Sequence, residues 1–320
     1  MTNYIIRRLL LNVLVLWFVA SMVFVGTHAL PGDFAAKRVA STIVAGLDQQ
    51  KAIEYARHEL GLDKPLWRQY VTFMGDLAQG DLGTSYESHR STWKELGSRI
   101  TTTLELGSII VLISFALSIP IGVLSAVKQN SWVDYFLRGF SILGVAMPVF
   151  VVAILLSLFV VHYKLFKIDV VGHPHFWTDP GGAAKLYVIP AIAGGVSGGA
   201  WIMRLLRSQM LEVLRQDYIR TARAKGLQDT RIWVQHALKN AMLPVLTVMG
   251  LTISGIVGGQ IILESMFNID GVGRFLIARL TSRDFPPFEG TVLVIAFVIV
   301  TVNLGVDLAY AWLDPRVRYS

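Results

Sequence analysis

Six long apolar runs, near residues 9–30, 101–127, 139–161, 186–203, 241–263 and 290–313, dominate this chain, and only Glu105 and Asp307 place charge inside them. A helix needs roughly 20 such residues to cross about 30 Å of hydrocarbon. Backbone amides in lipid must be paired within the segment itself, so the runs specify helices. The expectation is an all-α membrane protein with about six transmembrane helices. The least apolar run is 186–203, diluted by Pro190, Gly194, Gly195, Gly198 and Gly199. A five-helix alternative that drops it would place the most basic loop outside, so six are kept.

The net charge of +7 raises the question of a nucleic-acid partner, and the positions of the 29 Lys and Arg answer it. Six crossings put residues 1–8, 128–138, 204–240 and 314–320 on one side with fourteen of them, whereas the opposite short loops, 162–185 and 264–289, hold six. The positive-inside rule makes the first set cytoplasmic, with both termini inside. The basic residues therefore describe topology, and no nucleic acid is implied. Arg7 and Arg8 precede a long first run with no cleavage-like site, which reads as an uncleaved signal anchor. With no cysteine, disulfides and thiolate ligands are excluded.

Three regions follow: an anchor helix over 1–30, an extracytoplasmic segment over 31–100, and a five-helix core over 101–320. The outer segment carries nine basic and nine acidic residues and is punctuated like a folded unit. Gln50 to Leu60 reads as a helix stopped by Gly61, and Pro65 opens an amphipathic helix ending near Gly80. Leu66, Tyr70, Phe73, Met74 and Leu77 form its apolar face, which suits its own loop or the bilayer surface better than a docked partner. Gly194-x-x-x-Gly198, Gly195-x-x-x-Gly199 and Gly255-x-x-x-Gly259 favour close helix packing, which is compatible with lining a path.

The 204–240 loop is too long for a turn. Its spacing predicts a helix from about Gln209 to Lys225, a left-handed cap at Gly226, and a second helix capped by Asp229 or Thr230 and led into the next span by Pro244. Two readings stand at this point: a rigid protrusion that receives force from a cytoplasmic partner, or a basic hairpin lying on anionic lipid.

The residues themselves separate those readings. Asp217-Tyr218-Ile219-Arg220-Thr221-Ala222-Arg223-Ala224-Lys225-Gly226, with His236-Ala237-Leu238-Lys239-Asn240 and Leu243-Pro244 beyond, closely resembles the EAA loop of the dipeptide, oligopeptide and nickel ABC importer permeases. The general pattern's alanine, glycine and leucine fall on Ala222, Gly226 and Leu238. Arg220, Thr221, His236 and Lys239 depart from it, and the departures resemble the peptide branch. Leu30-Pro31-Gly32-Asp33, Leu60 to Pro65, Gly80-Asp81-Leu82-Gly83, Thr103 to Leu106, Glu264-x-x-Phe267 with Gly271-Val272-Gly273-Arg274, Arg283 to Pro286, and Asn303 through Asp307 to Arg316 also look like signatures of the B-type peptide permease.

That resemblance implies an ABC type I importer permease fold in the cytoplasmic (inner) membrane of a bacterium or archaeon. It implies a pore half completed by a second homologous permease, two cytoplasmic ATPase subunits holding ATP and Mg, and an extracytoplasmic substrate-binding protein. Asp217, Tyr218, Thr221, Ala222, Arg223, Ala224, Lys225, Gly226 and Leu238 become the ATPase-coupling loop. Gly226 would let the preceding helix be presented end-on, and Ala222 would stay small for the same contact. The chain contains no G-x-x-x-x-G-K-[ST], so it is expected to be no enzyme and to carry no cofactor of its own. A nickel or oligosaccharide importer of the same family is the alternative, and a membrane scaffold or intramembrane enzyme the remote one.

Glu105, Asn303 and Asp307 remain as intramembrane polar candidates. Glu105 suits a pathway role or an interfacial pair with Arg99. Asp307, one turn from Asn303, suits an inter-helix hydrogen bond near the cytoplasmic end. Glu105 and Asp307 lie toward opposite faces and make no catalytic dyad. His173-Pro174-His175 lacks sulfur or carboxylate partners in sequence and reads as a polar loop, not a metal site. His28 and His162, at span ends, read as interfacial.

Overall fold

The computed structural model describes residues 2–29, 35, 49–59, 61–167 and 174–313. The helices are α1 (Thr2–Ala29), α2 (Gln49–Glu59), α3 (Leu66–Ala78), α4 (Thr92–Val127), α5 (Trp132–Ala146), α6 (Val149–His162), α7 (Pro180–Leu214), α8 (Asp217–Ala224), α9 (Asp229–Met266), α10 (Val272–Ser282) and α11 (Phe285–Leu313). The Leu30–Asp33 signature, His173 and the stretch from Asp314 onward fall outside the described residues. Two compact units arise, residues 1–101 with 271–301, and residues 102–270 with 302–320.

Within the first unit, α3 lies along the outer half of α1. Phe24 meets Tyr70 edge-on at 5.4 Å and Phe73 at 5.5 Å, while the Ser21 and Tyr70 hydroxyls are 2.8 Å apart. Leu96, Val272 and Phe275 form a small core. Around it, Arg279 reaches Glu87 at 2.7 Å and Glu95 and Asp284 at 3.2 Å. Asp284 also accepts from the Ser85 hydroxyl at 2.6 Å and the Tyr86 N–H at 2.8 Å. Burial pushes the Asp284 carboxyl above its ordinary range, a rise that the Ser85, Tyr86 and Arg279 contacts oppose only in part. The Arg283–Pro286 signature is thereby explained as a helix end whose carboxylate pins the 80–91 turn.

The expected punctuation is present. Gly61 and Gly80 both take left-handed φ, +69° and +79°. In each case the next N–H bonds five residues back, Leu62 to Arg57 O at 2.8 Å and Asp81 to Asp76 O at 2.9 Å, satisfying carbonyls the helix leaves open.

Among the described residues, five helices are long and apolar enough to cross a membrane: α1, α4, α7, α9 and α11. The third expected span is broken instead of straight, because α5 and α6 bend by 114° at Met147-Pro148. Pro148 lacks an N–H and forces Met147 into extended backbone (φ −89°, ψ 127°), which ends α5. Together the two helices are long and apolar enough for one span. Asp134 at its start binds Arg207 near the C-terminal end of α7, whereas Val160 at its finish belongs to the core cluster that includes Ala183, Leu186 and Tyr187 of the N-terminal end. Among the described residues there are thus five apolar spans, or six with the bent pair counted as one.

The run that looked weakest, 186–203, lies in the most enclosed span of the second unit. Two thirds of the apolar window of α7 (67%) is buried, against 11% for α1. Its glycines explain this, since a Cβ on Gly199 would stand 2.9 Å from the Ser114 carbonyl oxygen, and one on Gly194 2.9 Å from Ile110. Low hydropathy here reflects helix-to-helix packing and not exposure. One core layer gathers Leu106, Ile110, Tyr187 and Leu263, and a second gathers Ile202, Leu206, Met210, Ile219, Ile232 and Ala241 beneath the cytoplasmic loop.

Candidate coupling hairpin and membrane groove

The 204–240 loop differs from its expected form at two points. The first helix does not run through from Gln209 to Lys225, because Gln216 is extended (φ −69°, ψ 149°) and separates α7 from α8. The second begins at Asp229 with no side-chain cap, so neither Asp229 nor Thr230 caps it. Asp229 instead pairs across the turn with Arg223 at 3.4 Å, and its charge suits the N-terminal turn it occupies. Helix α9 then passes through a π-helical stretch at Ile232–Leu238 and continues past Pro244. Such wide turns concentrate at functional sites.

Helix α8 is short but tightly held. Ile219 and Ala222, three residues apart, are buried among Met210, Ile232, Ala237 and Ala241. Leu238 is half-buried and packs on the same cluster. The Asn240 amide donates to the Tyr218 hydroxyl at 2.8 Å and to His236 O at 3.1 Å, tying α8 to α9. Gly226 has φ +78°; its N–H bonds Arg223 O at 2.9 Å and the Leu227 N–H bonds Ala222 O at 3.3 Å. That is the two-bond Schellman ending, and only the left-handed conformation closes it. A Cβ on Gly226 would meet nothing within 4 Å, so within this chain the position is constrained by backbone and not by space.

The outward surface is polar and cationic. Asp217, Tyr218, Arg220, Thr221, Arg223, Ala224, Lys225 and Gly226 are all exposed. Of the residues assigned to coupling, Ala222 and Leu238 alone turn inward, and the small size of Ala222 has its own cause in this packing.

Sequence reasoning missed the clamp at the root of the hairpin. The Asp134 carboxylate is fully buried and accepts two bonds of 2.8 Å from the Arg207 guanidinium, one from Ser125 at 2.6 Å and one from the Asn130 N–H at 3.0 Å. Ser131 caps α5 by accepting from the Asp134 N–H. The two charges are 73 positions apart in regions that hydropathy reads as cytoplasmic loop, and no local pattern joins them.

Above the hairpin, an open groove of about 370 Å³ lies between α7 and α9. Gly194, Ser197, Gly198 and Trp201 line one side; Leu251, Thr252, Gly255 and Gln260 line the other. The wall is mainly apolar. Ser197 Oγ is buried with no hydrogen bond, and a Cβ on Gly255 would enter open space. Close packing therefore explains Gly195 and Gly199, whereas Gly255 borders the groove; the Gly259 side of that stripe lies outside the described residues. Near one end, Glu264 is buried and accepts from Thr103 at 2.6 Å. In the amide orientation that satisfies both of its atoms, Gln260 bridges to α4, donating to Thr103 O at 3.3 Å and accepting from the Gly107 N–H at 2.8 Å.

The remaining candidates are structural in their contacts. Glu105 is paired to His175 Nδ1 at 3.0 Å and receives the Tyr187 hydroxyl at 3.4 Å. His175 thus pairs with Glu105, for which Arg99 was one partner weighed; Arg99 lies over the Phe275 ring at 4.6 Å. The His175 ring stacks on Trp177 at 4.7 Å. Asn303 accepts a 2.7 Å bond from Ser254, an inter-helix contact, and the Asp307 side chain lies outside those described. No cluster of metal-ligating side chains occurs among the described residues.

Comparison with known proteins places these features in one lineage. The family model described as binding-protein-dependent transport system inner membrane component matches residues 118–319, and its N-terminal companion matches residues 1–107. The dipeptide transport system permease protein DppB of Escherichia coli K12 is 39% identical over 347 residues, covering all of both chains. DppB of Alkalihalophilus pseudofirmus is 36% identical, and the glutathione transport system permease protein GsiC of Escherichia coli K12 34%, again with full coverage of both chains. With its apolar spans, its groove and its braced hairpin, this chain belongs to the binding-protein-dependent transport system inner membrane components, the permease subunits of ABC importers.

Proposed function

We propose that this chain forms half of the translocation pathway of a peptide importer and that the α8 hairpin is the surface through which separate ATPase subunits move it. Full-length similarity to permeases named for dipeptide and glutathione transport supports the substrate class. The observation that carries the coupling role is the division of α8 into a buried stripe, Ile219 and Ala222, and an exposed polar face that ends in a rigid Schellman turn. A helix anchored on one side and bare on the other transmits displacement to α7 and α9 instead of absorbing it.

In this reading a second homologous permease supplies the facing pore wall, two cytoplasmic ATPases bind ATP and Mg, and an extracytoplasmic binding protein delivers substrate. The α7–α9 groove is one flank of the path. Its scarcity of charge suits a peptide that is released rather than retained, with selectivity residing in the binding protein. The test is ATP-dependent uptake of labelled di- and tripeptides by proteoliposomes holding the complete transporter. Peptide accumulation supports the assignment; accumulation of nickel or an oligosaccharide and no peptide contradicts it.

A further inference from the structure

We infer that the first unit carries a phospholipid-binding groove, open toward the outer leaflet, between the outer half of α1 and the first turns of α3. The groove holds about 600 Å³ and is bounded by Trp17, Phe24, Val25, Leu66, Trp67 and Tyr70. Trp17 lies twelve residues before Ala29, so at 1.5 Å per residue the groove extends about 18 Å below the outer end of α1. The 2.8 Å contact between the Ser21 and Tyr70 hydroxyls, within the apolar span Ile6–Ala29, holds α3 about 12 Å below that end.

Two observations specify the occupant. The groove is continuous with the face α1 offers to hydrocarbon, where Trp17, Phe18, Met22 and Val25 are each more than half exposed. Its rim on α3 then changes character: Trp67, 64% exposed, is stacked under the Arg68 guanidinium at 5.2 Å, and Leu66 and Val71 are exposed beside it. An amphipathic ring at the interface with a cation above it matches an acyl chain below and a phosphate headgroup above.

This site does not depend on which substrate is transported. The test reconstitutes the complete transporter, with this chain either native or carrying Trp67→Phe, in phosphatidylcholine and in phosphatidylcholine brominated along its acyl chains. The Trp67 contribution is the difference between the two emission spectra. The lipid site predicts that acyl bromines quench that contribution at least twofold while aqueous acrylamide leaves it nearly unchanged. Quenching by acrylamide alone would mean a water-exposed or binding-protein surface, and quenching by neither would mean that another subunit covers it; either result overturns the inference. As an independent arm, native mass spectrometry of the Val25→Trp variant, which fills the groove, is expected to show one phospholipid fewer than the native complex. Equal lipid counts would also overturn it.

Discussion

Arg207 on α7 grips Asp134 at the start of α5 through two parallel hydrogen bonds of 2.8 Å, with the carboxylate wholly removed from solvent. This clamp joins the base of the hairpin to the broken span. Removing one member strands the other charge, which costs about 3–5 kcal/mol in buried pairs. Asp134→Ala is therefore expected to lower the thermal midpoint of the purified protein sharply. Arg207→Lys keeps the charge but loses the fork, and should fall between. Thermal unfolding in detergent measures both, and equal midpoints for native and Asp134→Ala protein would remove the clamp from the account.

At Gly226 the constraint is conformational. Alanine at φ +78° should cost about 1–2 kcal/mol and loosen the hairpin end, whereas asparagine, which tolerates the left-handed region, should be milder. Uptake by the two variants, at matched protein levels, is expected to rank native, then Gly226→Asn, then Gly226→Ala.

Ala222 and Thr221 are neighbours with opposite surroundings. Ala222→Leu overpacks the cluster around Ile219 and Ile232, at a cost of about 1–3 kcal/mol, so stability and uptake should fall together. Thr221→Trp adds bulk to an exposed face. It should leave stability within about 0.5 kcal/mol of native while uptake falls, the separation expected of a docking surface.

The groove allows a similar contrast. Gly199→Leu forces backbone apart at Ser114 and should destabilise the protein, while Gly255→Leu projects into open space. The second variant should fold normally and transport bulky peptides more slowly than small ones. Initial uptake rates for a dipeptide and a tripeptide provide the comparison.

Much of this architecture was legible in local pattern. Helix ends at Gly61, Gly80 and Gly226 could be read because left-handed caps leave a one-residue signature, and the spans because lipid demands long apolar runs. What escaped were events set by a single backbone group or by distant residues. Pro148 breaks a span whose hydropathy is uninterrupted, and Gln216 divides a helix that periodicity would carry through. Ser197, Gln260 and Glu264 take their meaning from helices that meet only in the fold. Glu264 left a trace, as an acidic residue one position past the fifth apolar run.

The absence of cysteine permits the most direct test of the coupling role. In the complete transporter, single Thr221→Cys and Lys225→Cys variants would be treated with a short bifunctional thiol reagent against an ATPase bearing one surface cysteine, with buried Ile219→Cys as control. The account predicts a covalent adduct between this chain and the ATPase from Thr221→Cys and Lys225→Cys and none from Ile219→Cys. An ATPase that co-purifies with the chain yet forms no adduct from either exposed position would contradict it.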